Sequence, residues 1–238
     1  MTTSRPIGPV ITDWTEPPVP PEGLTLTGRY VHLEPMRAEA HAALIFRQIE
    51  GEDWLWDYMP AGPFGSAAQF HRYIRGTEEV KDPYFLAIRE GQGGPAVGFA
   101  SFCNIKPATG SIEVGFILMS PRLQRTRAAT EAMFLMMQWA FGAGYRRYEW
   151  KCNALNMPSR RAAQRLGFSY EGVFRQHMVV KGRNRDTAWF AMIDRDWPAL
   201  REAYDVWLSP ANFAADGTQR ESLSDLTGLV RVASDPEL

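Results

Sequence analysis

The sequence predicts an α/β (α+β) fold, a mixed, mostly antiparallel, twisted sheet with helices on both faces. Three observations predict it. Strand-like runs at Tyr84–Ile88, Ala96–Ile105 and Ser111–Met119 follow one another across the turn-rich segments Glu90–Pro95 and Pro107–Gly110, which reads as an antiparallel meander. The apolar period then lengthens: Ala129, Ala132, Met133, Met136, Trp139, Ala140 and Ala143 recur at three and four residues, the stripe of a long helix ending near Gly142 or Gly144. Strand material returns after it and reverses at Lys181–Asn184.

Ahead of the meander, Leu24–Leu33 reads as a strand, Arg37–Ile49 as a helix bearing Ala40, Ala43, Leu44 and Phe46, and Ser66 to about Glu79 as a second helix. Behind the long helix, Tyr148–Cys152 is a short strand. Asn156 opens another helix, because asparagine caps free amides and Pro158 suits a first turn, and Gly167 ends it. Phe168–Val180 and Thr187–Ile193 are the last strands, and Asp196 caps a final helix carrying Leu200, Tyr204 and Leu208.

The ends differ from this body. Residues 1–23 carry Pro6, Pro9, Pro17, Pro18, Pro20 and Pro21, too many units without amide donors for a sheet centre or a helix, and read as an extended arm laid on the body. From Ser209 to residue 238 the sequence is rich in Asp, Ser, Thr and Gly, a peripheral tail unless it docks elsewhere. One domain over residues 24–208 is expected between them.

Among 238 residues, 26 basic and 27 acidic side chains nearly cancel, so no overall field draws the chain to nucleic acid or an anionic membrane, and any phosphate site must be local. Arg146, Arg147, Arg160, Arg161 and Arg165 are a nucleic-acid alternative, opposed by that balance and by the lack of interleaved aromatics. Cys103 and Cys152 lie in apolar segments and suit a reducing compartment without a disulfide framework. No apolar run reaches bilayer length and no signal pattern opens the chain, so a cytoplasmic protein without a membrane partner is expected. His32, His41 and His71 have no metal-ligand spacing, so no metal is expected.

The segment Leu118–Ala132 concentrates the chemistry. A buried strand ends, Arg122, Arg125 and Arg127 follow within six residues, and a long helix opens; the unpaired amides and partial positive charge of a helix start make an anion seat. The reading Gln124-x-x-Arg127-x-Ala129 with Thr130-Glu131-Ala132 resembles the acetyl-CoA loop of the GCN5-related N-acetyltransferase (GNAT) superfamily, in the branch of the ribosomal-protein N-terminal acetyltransferases (RimJ/RimL-like). A second stretch, Asn153-x-x-Asn156-x-x-Ser159-Arg160 closing on Leu166-Gly167-Phe168, matches that family's other motif, and the similarity covers about Leu24 to Leu208. Arg127 stands where the family has its central glycine, so its side chain must point away or itself reach the anion.

The resemblance implies acetyl-CoA or another acyl-CoA as co-substrate and an amine acceptor, a homodimer being compatible with it. By resemblance, Gln124, Arg125, Thr126, Arg127, Ala128, Ala129 and Thr130 form the pyrophosphate loop. Asn153 and Asn156 hold the pantetheine arm, Ser159 or Arg160 approaches the nucleotide phosphates, and amides near Phe116, Ile117 and Leu118 face the thioester. Asn156 as a helix cap alone is the bland alternative.

Acyl transfer needs a free amine, a polarised carbonyl and a proton for the leaving thiolate. Glu113 is the one ionisable group in Ile112–Leu118, and a carboxylate against apolar walls suits taking a proton from an ammonium; it is the candidate base. The family's usual tyrosine acid is absent, Ala163 standing in its place, so Ser159 is the candidate donor. The aromatic loop Asp53–Phe64 offers Trp54, Trp56 and Tyr58 as an acceptor wall, with His177 a further candidate; packing of the loop and a structural histidine are the alternatives. A coenzyme A-binding module without turnover is the competing reading.

Overall fold

A computed structural model describes residues 7–238. Pro6 and the residues before it lie outside the described residues. Eight strands form one sheet in the order β1-β2-β3-β4-β5-β6-β8-β7. These are β1 (Leu26–Thr27), β2 (Val31–Pro35), β3 (Tyr84–Glu90), β4 (Ala96–Lys106), β5 (Ser111–Met119), β6 (Arg147–Asn153), β7 (Ser169–Val180) and β8 (Arg183–Ile193). All neighbours are antiparallel except β5 and β6.

Strand alternation decides which side of the sheet meets which helices. Leu86, Ile88, Phe102, Ile112, Val114, Tyr148, Trp150 and Phe190 share a core with α3 (Arg127–Gly142), α4 (Met157–Arg165) and α5 (Trp197–Leu208). The other face carries a smaller core in which Phe85, Ala87, Phe99 and Leu118 pack with α1, whose π-helical first turn Ala38–Ala42 runs into Ala43–Ile49, and with α2 (Ala67–Thr77). The helices thus cover both faces as expected, and Ser66 caps α2 by accepting from the Gln69 amide.

Three details depart from the sequence reading. The Leu24–Leu33 strand is two, because the chain turns at Gly28, where a side chain would run into the Glu131 carboxylate; that carboxylate receives the next three amides. Asp196 does not cap α5 with its side chain, which instead accepts weakly from the Ile193 amide. The segment after Ser209 docks rather than standing apart: Leu223 and Thr227 of α6 (Leu223–Gly228) are buried, and the Thr227 hydroxyl donates to the carbonyls of Arg165 and Leu223.

At the other end the proline arm lies on the body. The Pro18 and Pro21 carbonyls accept from the hydroxyls of Tyr145 and Tyr84, and Trp14 covers Gly110, whose positive φ closes the β4–β5 connection.

Candidate active site

Because β5 and β6 are parallel, their C-terminal ends lie side by side, and the helices that follow them, α3 and α4, begin at the same edge of the sheet. The two strands pair only from Ser111↔Arg147 to Val114↔Trp150. Beyond that point β5 bends away: Phe116 and Ile117 together face Ala100 of β4, a bulge with Phe116 at φ 47°, while β6 continues to Asn153 against β8. A bulge re-aims a strand and frees backbone groups from the ladder. The predicted thioester-facing residues Phe116, Ile117 and Leu118 are the ones on the departing stretch, with the Leu118 side chain itself buried.

The loop from β5 into α3 is held from within. Gln124 donates its side-chain amide to the Met119 carbonyl, and Arg122 forks onto Glu90 at 2.9 and 2.6 Å. Thr126 is the helix cap: its hydroxyl accepts from the Ala129 amide at 3.1 Å and donates to the Leu123 carbonyl. The Thr130 hydroxyl is buried, with Arg165 donating to it. The cap commits Ala129, and Thr126, Thr130 and Gln124 turn inward, so this part of the predicted phosphate set is corrected. What stays open among the described residues is the run of amides of Arg125, Arg127 and Ala128 at the positive end of α3.

Arg127 points away from this seat. Its guanidinium lies between the rings of Tyr30, 4.9 Å from the centroid, and Phe213, at 4.5 Å. The residue that replaces the family's glycine therefore leaves its backbone free for an anion. Arg125, at φ 60°, is exposed beside it.

On the second motif, Asn156 caps α4 by accepting from the Ser159 amide, and Asn153 accepts from the Leu155 amide; both keep their NH₂ groups free among the described residues. Ser159 accepts from Trp150 Nε1 at 3.0 Å. Arg160 is a correction. It is 1% exposed and its guanidinium is taken by Asp235 at 2.6 and 2.5 Å, by Glu237 and by the Ala154 carbonyl, so it cannot reach nucleotide phosphates.

Glu113 is also placed differently from expectation. It is buried, but against charge rather than apolar walls: Lys151 Nζ lies 2.9 Å away, and Asn104 donates to the same oxygen, Oε2, at 2.6 Å. Its other oxygen, Oε1, lies beside Gly115, the residue at which β5 leaves β6. Lys151 is shared with Glu149 at 2.8 Å and stands over the Trp189 ring. Burial works against the ammonium, but the two carboxylates outweigh it and raise the Lys151 pKa.

Trp56, Tyr58 and Asn153 come together in a cavity of about 350 Å³ between the loop ahead of α2 and the β7–β8 hairpin, at the far end of β6. Its wall also holds Asp53 and Asp57 of the loop expected as the acceptor wall, though only its aromatics are singled out in the sequence, and Lys181, Arg183 and Arg185, which sequence reasoning missed. Trp54 is a correction: it is half exposed, bonded to Glu52 and outside the cavity. His177 lines an adjoining open depression and hydrogen-bonds the Thr187 hydroxyl at 3.0 Å. Strand alternation could have placed Lys151 beside Glu149. Asn104, whose partner is on another strand, left no local signal. No group of side chains among the described residues could hold a metal ion, and no helix is long and apolar enough to cross a membrane.

The profile of the acetyltransferase (GNAT) domain matches residues 31–169. A GCN5-related N-acetyltransferase from Brucella melitensis is 44% identical, covering 91% of this chain and 99% of its own, with a TM-score of 0.87. A probable acetyltransferase of the GNAT family from Chromobacterium violaceum is 39% identical over 84% of this chain and 100% of its own, at a TM-score of 0.77. A Salmonella typhimurium acetyl transferase, described as modifying the N-terminal serine of a 50S ribosomal subunit protein, shares the fold at 19% identity (TM-score 0.59, 70% of this chain, 96% of its own). Comparison with curated proteins finds no match. The splayed strands, the open helix start and these likenesses agree, and the chain belongs to the GCN5-related N-acetyltransferase family, enzymes that transfer an acyl group from acyl-CoA.

Proposed function

We propose that this chain transfers an acetyl group from acetyl-CoA to a primary amine, of a protein N-terminus or a small molecule, by direct attack on the thioester. The observation that carries the reading is the opening of β5 from β6 next to the free amides of Arg125, Arg127 and Ala128. Those amides and the dipole of α3 suit the diphosphate, the free NH₂ groups of Asn153 and Asn156 suit the amide-bearing arm, and the bulge at Phe116 offers a backbone donor to the thioester carbonyl.

The amine nitrogen attacks the carbonyl carbon; the C–N bond forms, the C–S bond breaks and the thiolate leaves with a proton. Glu113, held on one oxygen by Asn104 and Lys151, takes the ammonium proton through Oε1 beside Gly115. The Ser159 hydroxyl passes its proton to the leaving sulfur while taking another from solvent, so that no alkoxide is left. A covalent cysteine route is disfavoured, since burial raises both thiols, Cys152 to about 11 and Cys103 further. On this reading the protein acts in the cytoplasm, in keeping with its two buried, unbridged cysteines.

Titration with acetyl-CoA, followed by measurement of thiol released in the presence of a panel of amines and peptides, tests it. Saturable binding and acceptor-dependent thiol release are expected. Binding without release by any acceptor overturns the proposed turnover.

A further inference from the structure

The cavity beneath the β7–β8 hairpin has two walls of opposite charge. Asp53 and Asp57 come from the loop ahead of α2, while Lys181, Arg183 and Arg185 come from the hairpin, and none of the five forms an ion pair with another residue among those described. The hairpin is fastened across the cavity by Lys181, whose ammonium donates to the Trp56 carbonyl at 2.9 Å.

Arg185 is the most enclosed of the three cations. Its Nε donates to the Thr187 hydroxyl at 3.1 Å, and its two terminal amino groups have no partner among the described residues. Other enclosed cations nearby are matched: Lys151 by Glu113 and Glu149, Arg147 by Glu149 and Glu171, Arg160 by Asp235. Burial lowers the Arg185 pKa, with Cys152 and Glu113 opposing only at a distance. Arg185 is half-buried with its terminal amino groups open to the cavity, so a guanidinium without a counter-charge is presented to whatever anion enters.

Resting on the acyl-transfer reading, we propose that the acceptor is a small amino-carboxylate, an amino acid or short peptide. Arg185, supported by Arg183 and the Asn184 amide, grips its carboxylate, and Asp53 and Asp57 receive its ammonium before the proton is lost. A forked guanidinium–carboxylate contact supplies both strength and orientation, and a volume of about 350 Å³ suits a molecule of this size. The carboxylate is not consumed; it sets which amine reaches the β5–β6 opening.

The test uses acetyl-CoA with a panel of α- and ω-amino acids, each beside its equal-sized carboxamide, and reads thiol release. The acids are expected to exceed their amides in kcat/KM by about 10- to 100-fold. Arg185→Gln should abolish most of the ratio between each acid and its amide, and Arg185→Lys should retain part of it. Equal rates for acids and amides, a preference that survives Arg185→Gln, or a gain seen only when succinyl-CoA replaces acetyl-CoA, which would put the carboxylate on the acyl group, each overturns the proposal while leaving acyl transfer standing. The wild-type comparison needs no variant to fold. Thiol released by no amine at all would overturn both readings.

Discussion

Glu131 and Val31, a hundred residues apart in sequence, meet in a 3.0 Å hydrogen bond that belongs to a set of three, the Glu131 carboxylate also receiving the amides of Arg29 and Tyr30. The turn from β1 into β2 is thereby tied to the second turn of α3. Glu131→Gln halves the acceptor capacity and removes the charge, so it should lower stability by about 2 kcal/mol, and Glu131→Ala by more, in urea unfolding. Acetyl-CoA affinity should fall less than stability, since this carboxylate holds the Arg29, Tyr30 and Val31 amides and not the open amides at the start of α3.

Asp235 is expected to behave as half of a buried pair. Asp235→Ala leaves the Arg160 guanidinium enclosed without its main partner and should cost about 3–5 kcal/mol. Combining Asp235→Leu with Arg160→Met should recover most of that loss. A double variant as unstable as Asp235→Ala would show that the tail is held by something other than this pair.

Stability should depend on pH through His41. The Arg37 amide donates to its Nδ1 and its Nε2 faces Glu34, so the folded site holds a neutral ring. Burial lowers its pKa, and the Glu34 interactions only partly offset that. The unfolded chain therefore binds the proton more readily, and this contribution, complete above the ordinary histidine value, is lost as pH falls through the folded value. Unfolding between about pH 7 and pH 5 should show declining stability that flattens in His41→Gln.

Glu113→Gln should lower turnover with acetyl-CoA affinity little changed, whereas Asn156→Ala should weaken cofactor binding and cost about 1 kcal/mol of stability as a lost helix cap. Full activity of Glu113→Gln across pH would assign the base elsewhere.

Arg127→Gly restores the family's residue but removes the guanidinium between Tyr30 and Phe213. It should cost about 1–2 kcal/mol in stability while leaving acetyl-CoA affinity within about threefold. A large gain in affinity would mean that the arginine obstructs the loop.

The sequence discloses what repeats locally. The meander, the apolar stripe of α3 and the Asn156 start of α4 are legible because each is written in neighbouring residues. Leu24–Leu33 hid its break because Gly28 turns to make room for Glu131, a requirement set by a distant helix. Arg160 fitted its motif, yet its partner lies 75 residues away in a segment whose polar composition gave no sign of docking. The proposed phosphate loop is marked in the sequence by its arginines, but Arg122 and Arg127 are spent elsewhere and the open groups are backbone amides, which any sequence carries.

The short parallel junction of β5 and β6 has a mechanical consequence. Four residues on each strand, Ser111–Val114 and Arg147–Trp150, are all that stitch the first five strands to the last three within the sheet. Apart from the two-residue β1–β2 pairing at the edge, shearing along that seam breaks the fewest ladder bonds, so the body of the sheet yields there first. Amide exchange in the β5–β6 ladder should outpace exchange in the longer β6–β8 ladder beside it, making the proposed entry for the reactants also a soft line through the middle of the sheet.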